Sequence, residues 1–414
     1  MSIRYAAVAA LAVLALAAAV AAQPYGTDLI VSDLARTLYR VTAAGGVTTI
    51  GTYETSGSAW SLTTDAGNEE VVATMTSQGG CLLRIHSVTG YAVTIATGLG
   101  RPYWTEVDHN GDYVVALLSG GPVIRVKRDG SSVITLRAGF VQTPIFTQDL
   151  LNGDWVAGDL VNGLTRYDHS WTTMLSTVNH TSTYTYEIIH DPVRPFIYLG
   201  AANLARYDVM ANTVGVLNTG HPGVLGDRGL EIDRAPAASG AYIYTTDAVR
   251  PTTSSTLSTV WRYDPSGTNV GALATFSVAV TGLAFEHGRN LSAHQTSAPN
   301  NRILIVSFPA DWGKSYVVAF SFSGYTPGIP LPDGRTIPLT PDALTALTVQ
   351  QALPPLLRHN QGQLAANGGA QVTLDLNALG SAVSGLRLWA VAVTLDPSAP
   401  FGISQISRPF LMVL

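Results

Sequence analysis

Six short segments built around an arginine recur along the chain, and their spacing limits what it can fold into. They are Tyr39-Arg40-Val41, Leu83-Arg84-Ile85, Ile124-Arg125-Val126, Thr165-Arg166-Tyr167, Ala205-Arg206-Tyr207 and Trp261-Arg262-Tyr263. Successive arginines lie 44, 41, 41, 40 and 56 residues apart. Residues 102–138 show one repeat in full, with strands expected at Tyr103–Val107, Tyr113–Leu118, Val123–Val126 and Val133–Leu136. The turn-forming runs His109-Asn110-Gly111-Asp112, Ser119-Gly120-Gly121-Pro122 and Arg128-Asp129-Gly130-Ser131 separate them. A four-stranded antiparallel unit of this size cannot bury its apolar face alone, so copies must stack into blades.

The other strands keep the same register. First strands are expected at Trp60–Thr64, Tyr103–Val107, Ile145–Asp149, Tyr186–His190 and Leu230–Asp233, which is one too few for six blades. The missing one appears after the last repeat, at Gly282-Leu283-Ala284-Phe285-Glu286. The chain is therefore expected to be all-β: a six-bladed β-propeller over residues 23–287, closed by a strand swap that pairs residues 282–286 with 29–33 and removes exposed edges. The recurring arginines are read as scaffold groups pairing between neighbouring blades. Asp65, Asp108, Asp191 and Asp233, which close or follow first strands, are read as turn formers.

Residues 1–22 are set apart from this pattern. Arg4, the Ala/Leu/Val run 6–19 and the small residues before Gln23-Pro24 have the form of a secretory signal peptide. Export is therefore expected, to the outside, the periplasm or the cell envelope of a bacterium, with no transmembrane segment after signal cleavage. Cys81 is the only cysteine, which excludes an intrachain disulfide, and it is read as a packing residue. Charged residues make up 12% and the net charge is -5, which argues against nucleic acid as a partner. A monomer is expected.

After residue 287 the period stops. Asn290–Asn301 reads as polar and turn-rich, followed by strands at Arg302–Phe308, Tyr316–Phe322, Gln371–Leu376, Leu386–Leu395 and Phe410–Leu414, with a short helix over Pro341–Gln350. This predicts an antiparallel β-sandwich over residues 288–414, with the strongly apolar 386–395 as a central strand. The Pro/Gly-rich stretch Tyr325–Leu339, with Gly362–Gly369 and Ile406-Ser407-Arg408-Pro409, resembles a C-terminal module of secreted planctomycete and myxobacterial proteins. That resemblance implies export and an accessory role.

Function in a propeller usually lies on the face carrying the loops between blades and those joining second to third strands. Blade six has an insertion there, Asp247–Ser258, and another, Arg234–Gly240, on the opposite face. The long blade-joining loops Ser176–Tyr184 and Asn218–Arg228 bring His180, His221, Asp227 and Arg228 to the same rim, with Glu187 and Glu231 on first strands below. Asp33 and Arg36 should face the long loop across the closure. Glu106, Gln148 and Glu231 are placed at one strand position, with Thr63, Ile189 and Ala284 in the equivalent places. Carboxylates beside histidines at a channel mouth suit a divalent cation, Ca²⁺ or Mg²⁺, or an acid–base pair, and Glu106, Glu187 and Glu231 are the metal candidates.

Over roughly residues 25–287 this layout resembles the gluconolactonase-type and streptogramin-lyase (NHL-like) six-bladed propellers, and Tyr103-Trp104-Thr105-Glu106 resembles a blade start of the lyase group. The resemblance implies a metal-assisted lactonase or lyase acting in the channel. The residues themselves favour an exported binding module that holds a glycan, peptide or partner protein on the loop-rich face. A purely structural envelope protein is the third reading.

Overall fold

The computed structural model describes the chain from residue 28 to 414, apart from residues 43, 54–56, 58, 66–69, 77–78, 160–162, 179–186, 192–193, 201–202, 219–229, 233–241, 247–257, 286–289, 297 and 299. Alternating β-branched and aromatic residues between glycine- and aspartate-rich turns build six four-stranded antiparallel sheets. Blade one takes its inner strand, Val280–Phe285, from the end of the repeat region and pairs it with Leu29–Asp33, followed by Thr37–Val41 and Val47–Thr52. Blade two is Ala59–Thr64, Glu70–Met75, Cys81–His86 and Ala92–Ala96; blade three is Pro102–Val107, Tyr113–Leu117, Val123–Val126 and Val133–Arg137. Blade four is Ile145–Gln148, Trp155–Asp159, Gly163–Tyr167 and Met174–Val178. Blade five is Glu187–His190, Phe196–Gly200, Leu204–Asp208 and Thr213–Asn218; blade six is Leu230–Ile232, Ile243–Thr246, Ser258–Tyr263 and Asn269–Phe276. The inner strands neighbour one another in ring order, with blade six beside blade one.

In blade one the inner and second strands are buried throughout, whereas the outer strands of blades one and three are largely exposed. The core therefore lies between blades. Tyr244 and Val260 of blade six pack on Leu29, Val31 and Leu283 of blade one, so the closure is a hydrophobic seam as well as a hydrogen-bonded ladder. Between blades three and five the seam is aromatic: Trp171 stacks on Trp155 and Tyr167 and meets Phe146 edge-on.

Three of the six repeated arginines have a partner within their own blade, beside contacts between blades. Arg84, Arg125 and Arg166 pair with the aspartate that ends the inner strand of their own blade: Asp65 at 3.0 Å, Asp108 at 2.8 Å and Asp149 at 3.3 Å. Contact across blades is added to this, since Arg84 Nη2 also donates to Tyr113 Oη and to the Arg128 carbonyl of blade three. The inner-strand end and the third strand of one sheet both present their side chains to the space between blades, which brings the pair together there. The aspartates are turn formers as well. Asp108 Oδ1 accepts from the Asn110 and Asp112 amides, and Asp191 Oδ1 from the Arg194 amide. Asp233 lies outside the described residues.

A second repeat is visible only in three dimensions. Gly45, Gly90, Gly130, Trp171, Asn212 and Gly267 all adopt positive φ in the turn between third and outer strands. At Gly130 and Gly45 the turn lies so close to the preceding blade that a Cβ would stand 2.1 Å from the Ile95 carbonyl oxygen and 2.3 Å from that of Leu273. The turns at Gly45 and Gly130 thus cover part of the neighbouring blade's outer edge.

The C-terminal residues form two facing sheets. One contains Leu291–Gln295, Asn301–Ser307, Gly369–Asp375 and Leu357–Arg358; the other Gln361–Gln363, Ser315–Ser321, Arg387–Leu395, Ile403–Ile406 and Phe410–Val413. Leu304, Val306 and Val372 of the first meet Val318, Phe320, Ala390 and Met412 of the second in one core. Strand 387–395 is central, pairing with three others, as its apolar run predicts. The stretch expected to be turn-rich, 290–301, contains a strand instead. The apolar Leu291 and Ala293 alternate with polar residues and are both buried, so the polar neighbours hide a two-residue period. The helix, Ala343–Val349, starts where Asp342 accepts from the Thr345 amide in a capping box.

These sheets pack on the propeller face made by the turns between inner and second strands. Trp389 Nε1 donates to the Leu150 carbonyl of blade four, Tyr325 Oη to Arg194 of blade five and Arg408 Nη2 to Ile232 of blade six. Leu150 and Leu151 join Tyr325, Leu339, Trp389 and Leu411 in a shared apolar cluster.

Candidate functional site

The face opposite that contact carries the blade-joining loops and the mouth of the central channel. Two neighbouring inner strands behave alike there. In blade two Ala59 pairs with Met75 and Ser61 with Thr74, which leaves Trp60 as an extra, bulged residue. In blade three Pro102 pairs with Leu117 and Trp104 with Ala116, and Tyr103 is the bulged residue. A bulge re-aims one side chain without breaking the rest of the ladder, and Pro102 is tolerated at it because the ladder is already interrupted. Both strands are buried except at their second and fifth residues, so Trp60, Thr63, Tyr103 and Glu106 are the positions that reach solvent. The Trp60 and Tyr103 rings are in tilted contact, centroids 5.4 Å apart and planes inclined by 42°. Thr63 and Glu106 sit three residues deeper on the same strands.

The site rests on fixed neighbours. Ser61 Oγ and Thr74 Oγ1 lie 3.1 Å apart, and Thr74 Oγ1 donates to the Tyr103 carbonyl, tying the two bulges together. Trp104 points the other way, its Nε1 donating to Phe146 of blade four at 2.7 Å. Blade one has a bulge at the same place, but its residue is Thr281, buried with its hydroxyl on the Ser32 carbonyl. Blades four, five and six run without a bulge over their paired inner-strand residues.

The residues singled out from sequence are only partly brought together. His180, His221, Asp227 and Arg228 and the two blade-six insertions, apart from Ser258, lie outside the described residues, and of Glu231 only the strand is described. Glu187 is buried at 3% exposure, four residues before Asp191, where the other blades carry the buried Ser61, Trp104 and Ile145. Glu106 is half-buried two residues before Asp108, so the two carboxylates occupy different positions on strands separated by blade four. Gln148 does not share Glu106's position. Asp149 aligns with Asp108, so Thr147 is the equivalent residue, and the one-residue offset turns Gln148 to the other side. Gln148 Nε2 there bonds the Gly153 carbonyl and lies 3.3 Å from His109 Nδ1. Among the described residues no group of three or more His, Cys, Asp or Glu is placed to hold a metal ion.

Asp33 and Arg36 are held by local bonds at the turn between the second and third strands of blade one, and the long loop they were expected to face lies, apart from Ser258, outside the described residues. Asp33 accepts from the Thr37 amide and the Tyr39 hydroxyl, and Arg36 Nη1 donates to the Gly57 carbonyl at 2.6 Å. On the opposite face His109 is buried near His169, its ring centroid 6.3 Å away. Burial first, then the Arg125, His169 and Arg302 charges, lower its pKa to about 3. Asp149 moves the other way, raised to about 6 chiefly by burial.

The aromatic pair was missed because each ring reads as an ordinary strand residue. The available signal was position: Trp60 and Tyr103 both stand five residues before an inner-strand aspartate, Asp65 and Asp108.

No protein-family model matches the chain, and no curated protein matches it in sequence. Solved structures do. A chain of the crystal structure of a nidogen/laminin complex is 16% identical over 63% of this chain and 98% of its own, with a TM-score of 0.50. A protein of unknown function from Bacteroides caccae is 11% identical over the same shares, with a TM-score of 0.45. At this identity the first likeness speaks to fold, and what it shows, together with the repeated four-stranded antiparallel sheets, is a β-propeller.

Proposed function

We propose that the chain is an exported binding protein whose propeller holds an extracellular ligand, a partner protein or a glycan, on its loop-rich face. The observation that carries this reading is the packing of the C-terminal sheets. They contact the turns of blades four, five and six on one face, so among the described residues the loop-rich face is the one turned away from them. The aromatic pair on that face, and a fold shared with a chain from a nidogen/laminin complex, accord with recognition of a large ligand there. The signal-like N-terminus supports export.

Residues 23–414 carrying a fluorophore would be tested on peptide and oligosaccharide arrays, with a bulky polymer attached at Val141→Cys or at Trp312→Cys. Val141 is 79% exposed in the loop between blades three and four, and Trp312 is 66% exposed on the C-terminal sheets. Cys81 is buried and stays unlabelled. Binding that is lost with the polymer at 141 and kept with it at 312 is expected. Failure to bind either array, or blockage from 312 alone, would overturn the proposal.

A further inference from the structure

On the face covered by the C-terminal sheets, a buried histidine is held among charges from several elements. From that arrangement we infer that the contact between the propeller and the C-terminal sheets is a latch that opens in acid, with the His109 imidazole as the group whose protonation opens it. Such a latch is independent of the binding role proposed above.

His109 lies in the turn between the inner and second strands of blade three and is only 6% exposed. Its Nδ1 stands 3.3 Å from Gln148 Nε2 of blade four. The same Nε2 donates to the Gly153 carbonyl at 3.1 Å, and turning the amide over would set its oxygen against that carbonyl. The nitrogen therefore faces His109. An amide nitrogen only donates, so Nδ1 must accept, and the imidazole is neutral with its proton on Nε2. A second proton, on Nδ1, would set two donors against each other. The surrounding charges oppose it too: Arg125 on the third strand of blade three, the His169 ring 6.3 Å away in the outer turn of blade four, and Arg302 on the C-terminal strand Asn301–Ser307. Asp112 favours the proton, but its carboxylate already accepts from Lys127 Nζ at 2.8 Å and from the Arg128 amide. Asp108 is taken by Arg125 at 2.8 Å, and Asp154 and Asp168 are coupled by charge to His169.

Of these charged groups Arg302 is the one that belongs to the C-terminal sheets. It is 3% exposed, and burial lowers its own pKa. Docking the sheets therefore brings a buried cation up to His109 and shuts out water, and both raise the cost of an imidazolium. With the sheets away, His109 meets solvent and loses that neighbour. The docked form thus holds the proton less tightly, with the His109 pKa lowered to about 3 from an ordinary 6.5. By linkage, docking is at full strength above pH 6.5 and weakens as the pH falls toward 3, by up to tenfold per pH unit. Asp149, raised to about 6 chiefly by burial, works the other way, so substitution at His109 is needed to isolate the latch. Release uncovers Leu150 and Leu151 of blade four together with Tyr325, Trp389 and Leu411, an apolar surface presented only in acid.

The test uses residues 23–414 with pH-insensitive dyes on Val141→Cys and Trp312→Cys, two exposed positions, while the buried Cys81 stays unlabelled. Energy transfer between them reports the distance from propeller to C-terminal sheets, and far-UV circular dichroism follows the fold in parallel. Between pH 7.5 and pH 4 transfer should fall and the unlabelled protein should bind a hydrophobic dye, with the strand signal unchanged and full recovery at pH 7.5. His109→Gln puts a neutral polar side chain there and should hold the docked form to a pH at least one unit lower. Arg302→Met removes the charge that docking brings up and should shift release in the same direction, which keeps the test decisive if His109→Gln fails to fold. Unchanged transfer down to pH 4 would overturn the inference, as would one pH profile shared by the parent and both variants. Loss of the strand signal together with transfer would overturn it as well, because acid would then unfold the chain instead of parting its two halves.

Discussion

Replacing Gly130 by alanine separates two costs that are usually confounded. Gly130 has φ +74° and Gly139 has φ +85°, so alanine at either pays the penalty of left-handed backbone, about 1–2 kcal/mol. The surroundings differ. A Cβ at Gly139 would meet nothing within 4 Å, whereas at Gly130 it would stand 2.1 Å from the Ile95 carbonyl oxygen and 3.1 Å from its carbon. Those are backbone atoms of the blade-two outer strand and cannot rotate away, so the turn must lift by about an ångström. Overpacking of this kind adds about 1–3 kcal/mol. Gly130→Ala should therefore cost about 2–5 kcal/mol in all, and Gly139→Ala about 1–2 kcal/mol. At about 2–4 °C per kcal/mol, scanning calorimetry should show melting lowered by about 4–20 °C in the first and 2–8 °C in the second. Lifting the turn also uncovers the edge beside the exposed Tyr91 and Val93, so Gly130→Ala should self-associate on heating, as light scattering would record. Equal destabilisation by the two substitutions would refute the idea that these turns seal the neighbouring blade.

Other tests address the scaffold and the contact between propeller and C-terminal sheets. Arg125→Ala leaves Asp108, fully buried, without its cation and should cost about 3–5 kcal/mol in urea unfolding; Asp108→Asn combined with Arg125→Met should recover much of it. His109 has a folded pKa of about 3 against an ordinary 6.5, so the unfolded chain binds its proton first. Its contribution is complete above pH 6.5 and is lost toward pH 3, by at most about 1.4 kcal/mol per pH unit, and melting temperature against pH should flatten over that window in His109→Asn. Ending the chain at residue 281 removes most of the strand that pairs with Leu29–Asp33, and cooperative unfolding should disappear. Ending it at 289 keeps that strand but uncovers Leu150 and Leu151, so this shorter chain should fold and bind a hydrophobic dye.

What the sequence determined was periodic. Arginines at near-constant spacing, inner strands ending in aspartate and one displaced inner strand suffice to derive stacked four-stranded sheets and their closure through residues near 282–286, because antiparallel strands joined by short turns leave few other ways to bury both faces. The apolar run at 387–395 likewise marked a central strand. Tertiary structure alone decided the rest. Which aspartate each arginine meets depends on two strands of one sheet facing the same gap, and the seat of the C-terminal sheets depends on turns at Leu150, Arg194 and Ile232 coming to one face. The candidate site shows the difference most sharply. Trp60 and Tyr103 each stand at a single extra residue in their strand and meet one another, and Gln148 lies one residue past the position that Glu106 holds. Side chains alternate along a strand, so a one-residue bulge or offset reverses their face while leaving composition and period unchanged.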